Sequence, residues 1–292
     1  MGTVVTIQVV GLSDDGAERA HTEACVARAA EWFTSVERCC SRFDPASELR
    51  QLTGRVGVPV RVTPLLCEAL KFALAVARES DGAFDPTVGR RMEALGFNRH
   101  HLTGETVAAP AAGGGDRGSW RDVLLDAEAN TVTLLAPVVL DLGAVAKGLA
   151  VDLAARELEP LENFAVNAGG DLYLAGHNAD GHPWSVGIRH PRDQRLAETL
   201  HVSNTAVCTS GDYERRSALE AGAHHILDAR TGESAAELAS VTVVAASAMV
   251  ADALATAAFA LGPSEGLPFL ERYGVQALLL TPSLERFETA HA

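Results

Sequence analysis

Three observations in the sequence predict an α+β fold. Segments with helical spacing and segments rich in β-branched residues mix without a regular βαβ period. Turn signals such as Gly169-Gly170 keep the strand-like runs short. No internal repeat organises the chain, which reads as one domain over residues 1–292 or two closely merged subdomains.

Taken in order, residues 3–10 read as a strand and 15–40 as an amphipathic helix with a charged outer face. Residues 63–79 open on Thr63-Pro64, an N-cap followed by a first helical residue that needs no N–H, and read as a second helix. Residues 109–118, rich in Pro, Gly and Ala, are a predicted loop. A buried strand is expected over 131–140 and a helix over 143–158. Short strands follow at 164–166, 172–174, 184–188, 200–202, 224–227 and 241–245. An Ala-rich helix over 245–262, closed by Gly262-Pro263, precedes a last strand at 276–280.

Composition narrows the function classes. Hydrophobic residues make up 47% and charged residues 21%, as in a well-cored globular protein. A formal net charge of -14 argues against a nucleic-acid binder, because there is no basic excess to neutralise phosphates. An anionic substrate would have to be met locally, by a metal or backbone donors. The five cysteines show no metal-ligand spacing and suit a reducing compartment. No uncharged run of about 18 apolar residues predicts a membrane span, and no basic, apolar and cleavage segments mark a leader. A cytoplasmic location is the expectation, with export of a longer precursor left open.

The most informative chemistry lies in the Ala-rich helix, where Asp252 and Thr256 are four residues apart and share one face. A carboxylate and a hydroxyl on a buried helix suit half of a site for a hard cation such as Mg²⁺. The alternative is that Asp252 pairs with an arginine or caps a neighbouring backbone, while Thr256 bonds its own preceding turn. Asp141-Leu-Gly-Ala-Val-Ala-Lys-Gly148 joins a strand to a helix, where backbone N–H groups favour an anion and Lys147 is in reach of a phosphate. The carbonyl of Ala144 is available to a metal if that turn is irregular; a plain junction with a surface lysine is the competing reading.

Asp81-Gly-Ala-Phe-Asp-Pro-Thr-Val-Gly89 holds Asp85 extended before Pro86 and offers the Phe84 ring for stacking on a planar ligand, or else is a capped turn over a core Phe. Asn167-Ala-Gly-Gly-Asp171 allows either close approach of backbone to a ligand or a tight turn. His225 is a candidate general base, with Asp228 a candidate to orient it. No Gly-x-Ser-x-Gly elbow or patterned Cys/His pair supports a protein nucleophile, which points to metal-assisted transfer with the nucleophile supplied from outside.

These segments, together with Met1-Gly-Thr, Ser41-Arg-Phe-Asp, Ser47-Glu-Leu, Thr209-Ser-Gly-Asp-Tyr, His225-Ile-Leu-Asp and Thr231-Gly, resemble in order and spacing the ApbE family of FAD:protein FMN transferases, from Met1 to about Gly262. The resemblance implies that family's α+β fold of mixed sheets and packed helices. It also implies an enzyme that takes FAD and Mg²⁺, with Mn²⁺ the other candidate ion, and moves FMN onto a Thr or Ser hydroxyl of an acceptor flavoprotein, releasing AMP. By the same resemblance, Ala144, Asp252 and Thr256 hold the metal. Met1, Ala83, Phe84, Asp85, Asp141, Lys147 and Ile226 line the FAD site, and His225 with Asp252 serves catalysis. The alternatives are a Mg²⁺-dependent FAD pyrophosphatase and a non-catalytic FAD-binding protein.

Overall fold

A computed structural model of the chain describes residues 2–11, 15–100, 103–107, 118–217 and 219–290. Met1 and the loop expected at 109–118, apart from Gly118, lie outside them. The elements run β1 (Val5–Val9), α1 (Gly16–Cys40), α2 (Glu48–Leu52), β2 (Val60–Arg61), α3 (Pro64–Glu79), α4 (Gly89–Ala94), β3 (Val123–Asp126), β4 (Thr131–Leu134), α5 (Ala146–Leu158), β5 (Phe164–Ala168) and β6 (Asp171–Ala175). They continue with β7 (Trp184–Arg189), β8 (Leu196–Val202), β9 (Thr205–Gly211), β10 (Leu227–Asp228), β11 (Glu233–Ser234), β12 (Ser240–Ala245), α6 (Ala248–Arg272), β13 (Gln276–Leu280) and β14 (Arg286–Glu288).

The organising element is a seven-stranded sheet in the order β1-β5-β6-β9-β12-β13-β14, antiparallel throughout. Helices α1, α3, α5 and α6 bury their apolar faces on one side of it, in a core that includes Phe33, Leu70, Leu158 and Phe259. The β7–β8 hairpin covers the other side, where Trp184 packs with Leu174 and Val207. Trp184 Nε1–H donates to the Ala175 carbonyl at 2.8 Å, so the indole is buried without an orphaned donor. Strands β2, β4 and β3 form a small separate sheet.

Local chemistry explains most element ends. Asp15 caps α1 by accepting from Ala17 N–H at 2.7 Å, and Thr63 caps α3 by accepting from Leu66 N–H at 3.3 Å, with Pro64 as first helical residue. The stop expected at Gly262 is a break between two helical segments: Gly262 has φ 73°, and Pro263 opens a second segment that ends at Arg272.

Three expectations shift. Of the strand expected at 224–227 only Leu227 lies in a strand, β10. The strand predicted over 131–140 ends at Leu134, and the helix predicted from Gly143 begins at Ala146. Between them Asp141 Oδ1 accepts the Gly143 N–H at 2.7 Å, which spends the first residues on a turn. Strand β9 was not anticipated as a strand because its end reads Thr209-Ser-Gly211, a turn-like composition, yet it lies between β6 and β12 and is largely buried.

Candidate active site

Helices α5 and α6 approach so closely at Gly148 that a Cβ there would stand 2.3 Å from the Ala248 carbonyl oxygen. Only glycine fits, and this places the start of α5 against the buried face of α6. Asp152 fixes the same junction: its carboxylate accepts from Ser247 Oγ at 2.6 Å, Ala248 N–H at 2.7 Å and Met249 N–H at 2.9 Å, capping α6 from another helix.

Lys147 reaches across this junction. Its Nζ lies 3.0 Å from Asp252 Oδ2, 3.2 Å from Asp252 Oδ1 and 3.1 Å from the Gly143 carbonyl. It is also 3.0 Å from Asp171 Oδ2, but off the hydrogen-bonding direction, so that buried oxygen receives no hydrogen bond. Asp171 is 3% exposed and Asp252 4%. Asp171 is delivered by the Asn167-Ala-Gly-Gly-Asp171 segment, which proves to be the tight turn between β5 and β6. Gly169 and Gly170 adopt φ of 67° and 99°, as a two-residue hairpin loop requires.

Two buried carboxylates thus share one ammonium. Burial, then the charge of Asp171, pushes the Asp252 carboxyl up to about 7, although Lys147 and the Gly148 N–H pull the other way. Burial alone would lower Lys147, but Asp171 and Asp252 outweigh it and hold the ammonium above its ordinary value.

Below this centre lies a second ionic cluster. Arg42, 4% exposed, donates from Nε to Asp141 Oδ2 at 2.7 Å and from Nη2 to the Phe97 carbonyl at 2.6 Å. Its Nη1 stands 3.7 Å from Glu93, which is equally far from Arg50. Burial would raise Asp141, but Arg42 and the Gly143 N–H hold its carboxyl below the usual range. Asp141, Gly143, Lys147, Arg42 and Phe97 line a cavity of about 480 Å³, a size suited to a small-molecule ligand.

The predicted residues divide by position. Asp141 and Lys147 meet at the cavity wall, with Asp252 bonded to Lys147. Thr256 exchanges a 3.0 Å hydrogen bond with Ser210 on β9 rather than with its own preceding turn. The Gly148 N–H is given to Asp252 Oδ2 at 3.4 Å and not to the Ala144 carbonyl four residues back.

His225 lies partly exposed beside this region, its ring edge-on to Phe97 at 6.5 Å and its Nδ1 without a hydrogen-bond partner. Burial, then the nearby charges of Arg215 and Lys147, lowers its imidazole to about 3. Asp228 does not orient it; the carboxylate pairs with Arg230 at 3.0 Å.

Ile226 is buried, and Ala83 and Phe84 are core residues. The Asp85 carboxylate is committed to Thr87 at 2.8 and 2.7 Å and to Trp120 N–H at 3.0 Å. These four residues do not line the 480 Å³ cavity. Arg42, Asp152, Asp171 and Ser210 were not foreseen as site residues. The Ser41-Arg-Phe-Asp, Gly-Gly-Asp and Thr209-Ser-Gly-Asp-Tyr segments signalled three of them, whereas Asp152 carried no signal outside the fold.

The oxygens here fit a hard cation. The carboxylates exceed the ammonium by one charge, an Asp171 oxygen is unsatisfied, and hydroxyl and carbonyl oxygens stand on the same elements. Among the described residues no three His, Cys, Asp or Glu side chains cluster as a metal site, so a cation would draw on mixed oxygen donors. No described helix is long and apolar enough to cross a membrane.

Comparison with known proteins identifies the family and the fold. The family model described as the ApbE family matches residues 1–279. The FAD:protein FMN transferase of Haemophilus influenzae is 29% identical, with 99% of this chain and 86% of the relative covered. That of Treponema pallidum is 34% identical over 81% of this chain and 71% of its own. The solved flavin transferase ApbE from Vibrio cholerae superposes with a TM-score of 0.82 at 26% identity, covering 99% of this chain and 94% of that one. The ApbE protein from Thermotoga maritima gives 0.81 at 28%, covering 98% and 96%. The α+β fold implied by the resemblance is therefore the one adopted, and the chain belongs to the ApbE family of flavin-transferring enzymes.

Proposed function

We propose that this enzyme transfers FMN from FAD to a Thr or Ser hydroxyl of an acceptor flavoprotein, with Mg²⁺ as cofactor and AMP as leaving group. The observation that carries the reading is the charge imbalance at Lys147, Asp171 and Asp252 beside a cavity of ligand size. In a protein of net charge -14, a dianionic substrate needs local positive charge, and this is where a cation would enter.

The Asp252 carboxylate, the Thr256 hydroxyl and the Ala144 carbonyl would hold the ion, which when bound supplies Lewis-acid neutralisation of diphosphate charge. Asp141 keeps the Gly143 turn in place, and Lys147 would stabilise charge developing on the leaving phosphate. In the transfer, the acceptor oxygen bonds to the flavin-side phosphorus and the bond from that phosphorus to the bridging oxygen breaks. AMP carries away the bridging oxygen, and the hydroxyl proton passes to neutral His225, whose Nδ1 is unpartnered.

The test is mass spectrometry of a candidate acceptor incubated with the protein, FAD and Mg²⁺, with EDTA as control. A metal-dependent gain of one FMN unit supports the transferase. FMN and AMP released without a labelled acceptor would favour the pyrophosphatase reading, and no FAD consumption would leave a flavin binder.

A further inference from the structure

Three arginines on the cavity wall have no role in the clusters described above. Arg99, Arg215 and Arg216 are exposed at the cavity and have no carboxylate within ion-pair distance among the described residues. The acids around them are otherwise engaged. Asp141 holds Arg42 at 2.7 Å, Glu214 faces Arg189 at 3.7 Å, and Asp212 forms a paired contact with Arg192 at 2.7 and 2.6 Å. Three guanidiniums on one cavity with no carboxylate partner among the described residues are conspicuous in a chain with 38 acidic and 24 basic residues.

The segments that carry them are joined. Ser217 Oγ donates to the Leu95 carbonyl at 2.7 Å, and Met92, Leu95, Ala223 and Leu227 form a small core beneath both. Arg216 bridges to His224, and the Arg215 carbonyl accepts the His225 N–H at 3.2 Å. The rim is therefore built onto the same framework as His225.

We infer that Arg99, Arg215 and Arg216 form a phosphate-reading rim that holds the adenylate half of the dinucleotide and selects it over flavins lacking that half. The inference rests on the FMN-transferase reading of the site. Guanidiniums present forked donors that match phosphate oxygens, and an unpaired cationic cluster at a cavity mouth also draws anions in from solution. Lys147 and Arg42 already hold carboxylates, whereas the three rim arginines have none to give up among the described residues.

The test measures binding of FAD and of riboflavin to the full chain by flavin fluorescence, at low and high salt, for the wild type, the triple variant Arg99→Ala/Arg215→Ala/Arg216→Ala and its Lys counterpart. FAD binding should weaken roughly ten- to hundredfold in the Ala variant and become less salt-dependent. Riboflavin binding should change by no more than about twofold, and the Lys variant should recover part of the loss. Unchanged FAD binding would overturn the inference, even if the acceptor's KM rises, because the rim would then face the acceptor. Equal loss of both flavins would overturn it as well, since that marks a structural effect. If the wild type binds no FAD, the transferase reading itself fails; if it binds FAD and the variants bind equally well, only the rim assignment falls.

Discussion

Two buried ionic clusters lie within one wall of this molecule, and they are built on opposite plans. Around Arg42 the charges cancel: two guanidiniums, Arg42 and Arg50, face two carboxylates, Asp141 and Glu93, and Arg42 also serves the Phe97 carbonyl. Around Lys147 they do not, since Asp171 and Asp252 share one ammonium and an Asp171 oxygen is unsatisfied. A charge-balanced cluster fixes the Asp141 turn. An unbalanced one carries a desolvation cost that only another cation would relieve. The difference separates scaffold from chemistry more clearly than burial does, because both clusters are buried.

The largest expected effect falls on the balanced cluster. Arg42→Ala strands Asp141 in the interior, leaves Glu93 facing Arg50 alone, and should destabilise the fold by about 3–5 kcal/mol, the usual range for breaking a buried pair. Thermal and denaturant unfolding measure this. Arg42→Lys should recover only part, because an ammonium cannot serve both Asp141 and the Phe97 carbonyl with the same fork. A melting temperature unchanged in Arg42→Ala would erase the distinction between the two clusters.

The next effect belongs to the unbalanced cluster and appears in turnover rather than stability. Asp252→Asn keeps the side chain's shape and removes its charge, so folding should survive while FMN transfer falls on the order of 10²–10³-fold. Acceptor labelling followed by mass is the readout. Full activity in a folded Asn variant would sink the assignment of Asp252 to the metal.

How far the sequence displayed this contrast depends on the residue. Asp252 and Thr256 were legible because a helix of Ala and Leu makes two polar side chains conspicuous, and helical spacing puts them on one face. Lys147 was legible as a site residue, but its partners were not: they lie 24 and 105 residues away in the chain, at Asp171 and Asp252, and only the packing of α5 against α6 and β6 joins them. Phe84 and Asp85 show the opposite case. Their turn has the composition of a ligand loop, yet Asp85 spends its acceptors on Thr87 and Trp120. Composition marks where backbone geometry is special; it does not say whether the polar atoms there are already used. Strand β9 was hidden for a related reason, since Thr209 and Ser210 look like turn residues until their partners Thr242 and Thr256 are in place.

Asp171→Asn sharpens the comparison at a smaller scale. In the absence of metal it should leave stability unchanged or raise it slightly, because it removes the negative charge that, after burial, raises Asp252. It should also raise the Mg²⁺ concentration needed for half-maximal transfer roughly 10–100-fold, as loss of a group that orients a metal's ligands commonly does. Metal titration beside metal-free melting separates the two effects. A marked loss of metal-free stability would show that Asp171 is part of a balanced cluster after all.

The smallest effect concerns His225, which stands between the acidic centre and the arginine rim and reports which of them it senses. If the excess carboxylate charge dominated, its imidazole would be raised; instead burial, Arg215 and Lys147 lower it to about 3. The sign of the stability change follows from linkage. The unfolded chain binds a proton near the ordinary histidine value of about 6.5, whereas the folded imidazole stays neutral until far lower pH. Its contribution is therefore complete above about pH 6.5 and is lost as pH falls toward the folded value, a loss of about 1 kcal/mol between about pH 7 and about pH 5.5. His224, also lowered by burial, acts with the same sign, so the comparison requires His225→Gln against the wild type across that window. The variant should flatten the acid-side fall in melting temperature. A steeper fall in the variant would mean that His225 gains its proton on folding, and the acidic centre would then reach further than the rim.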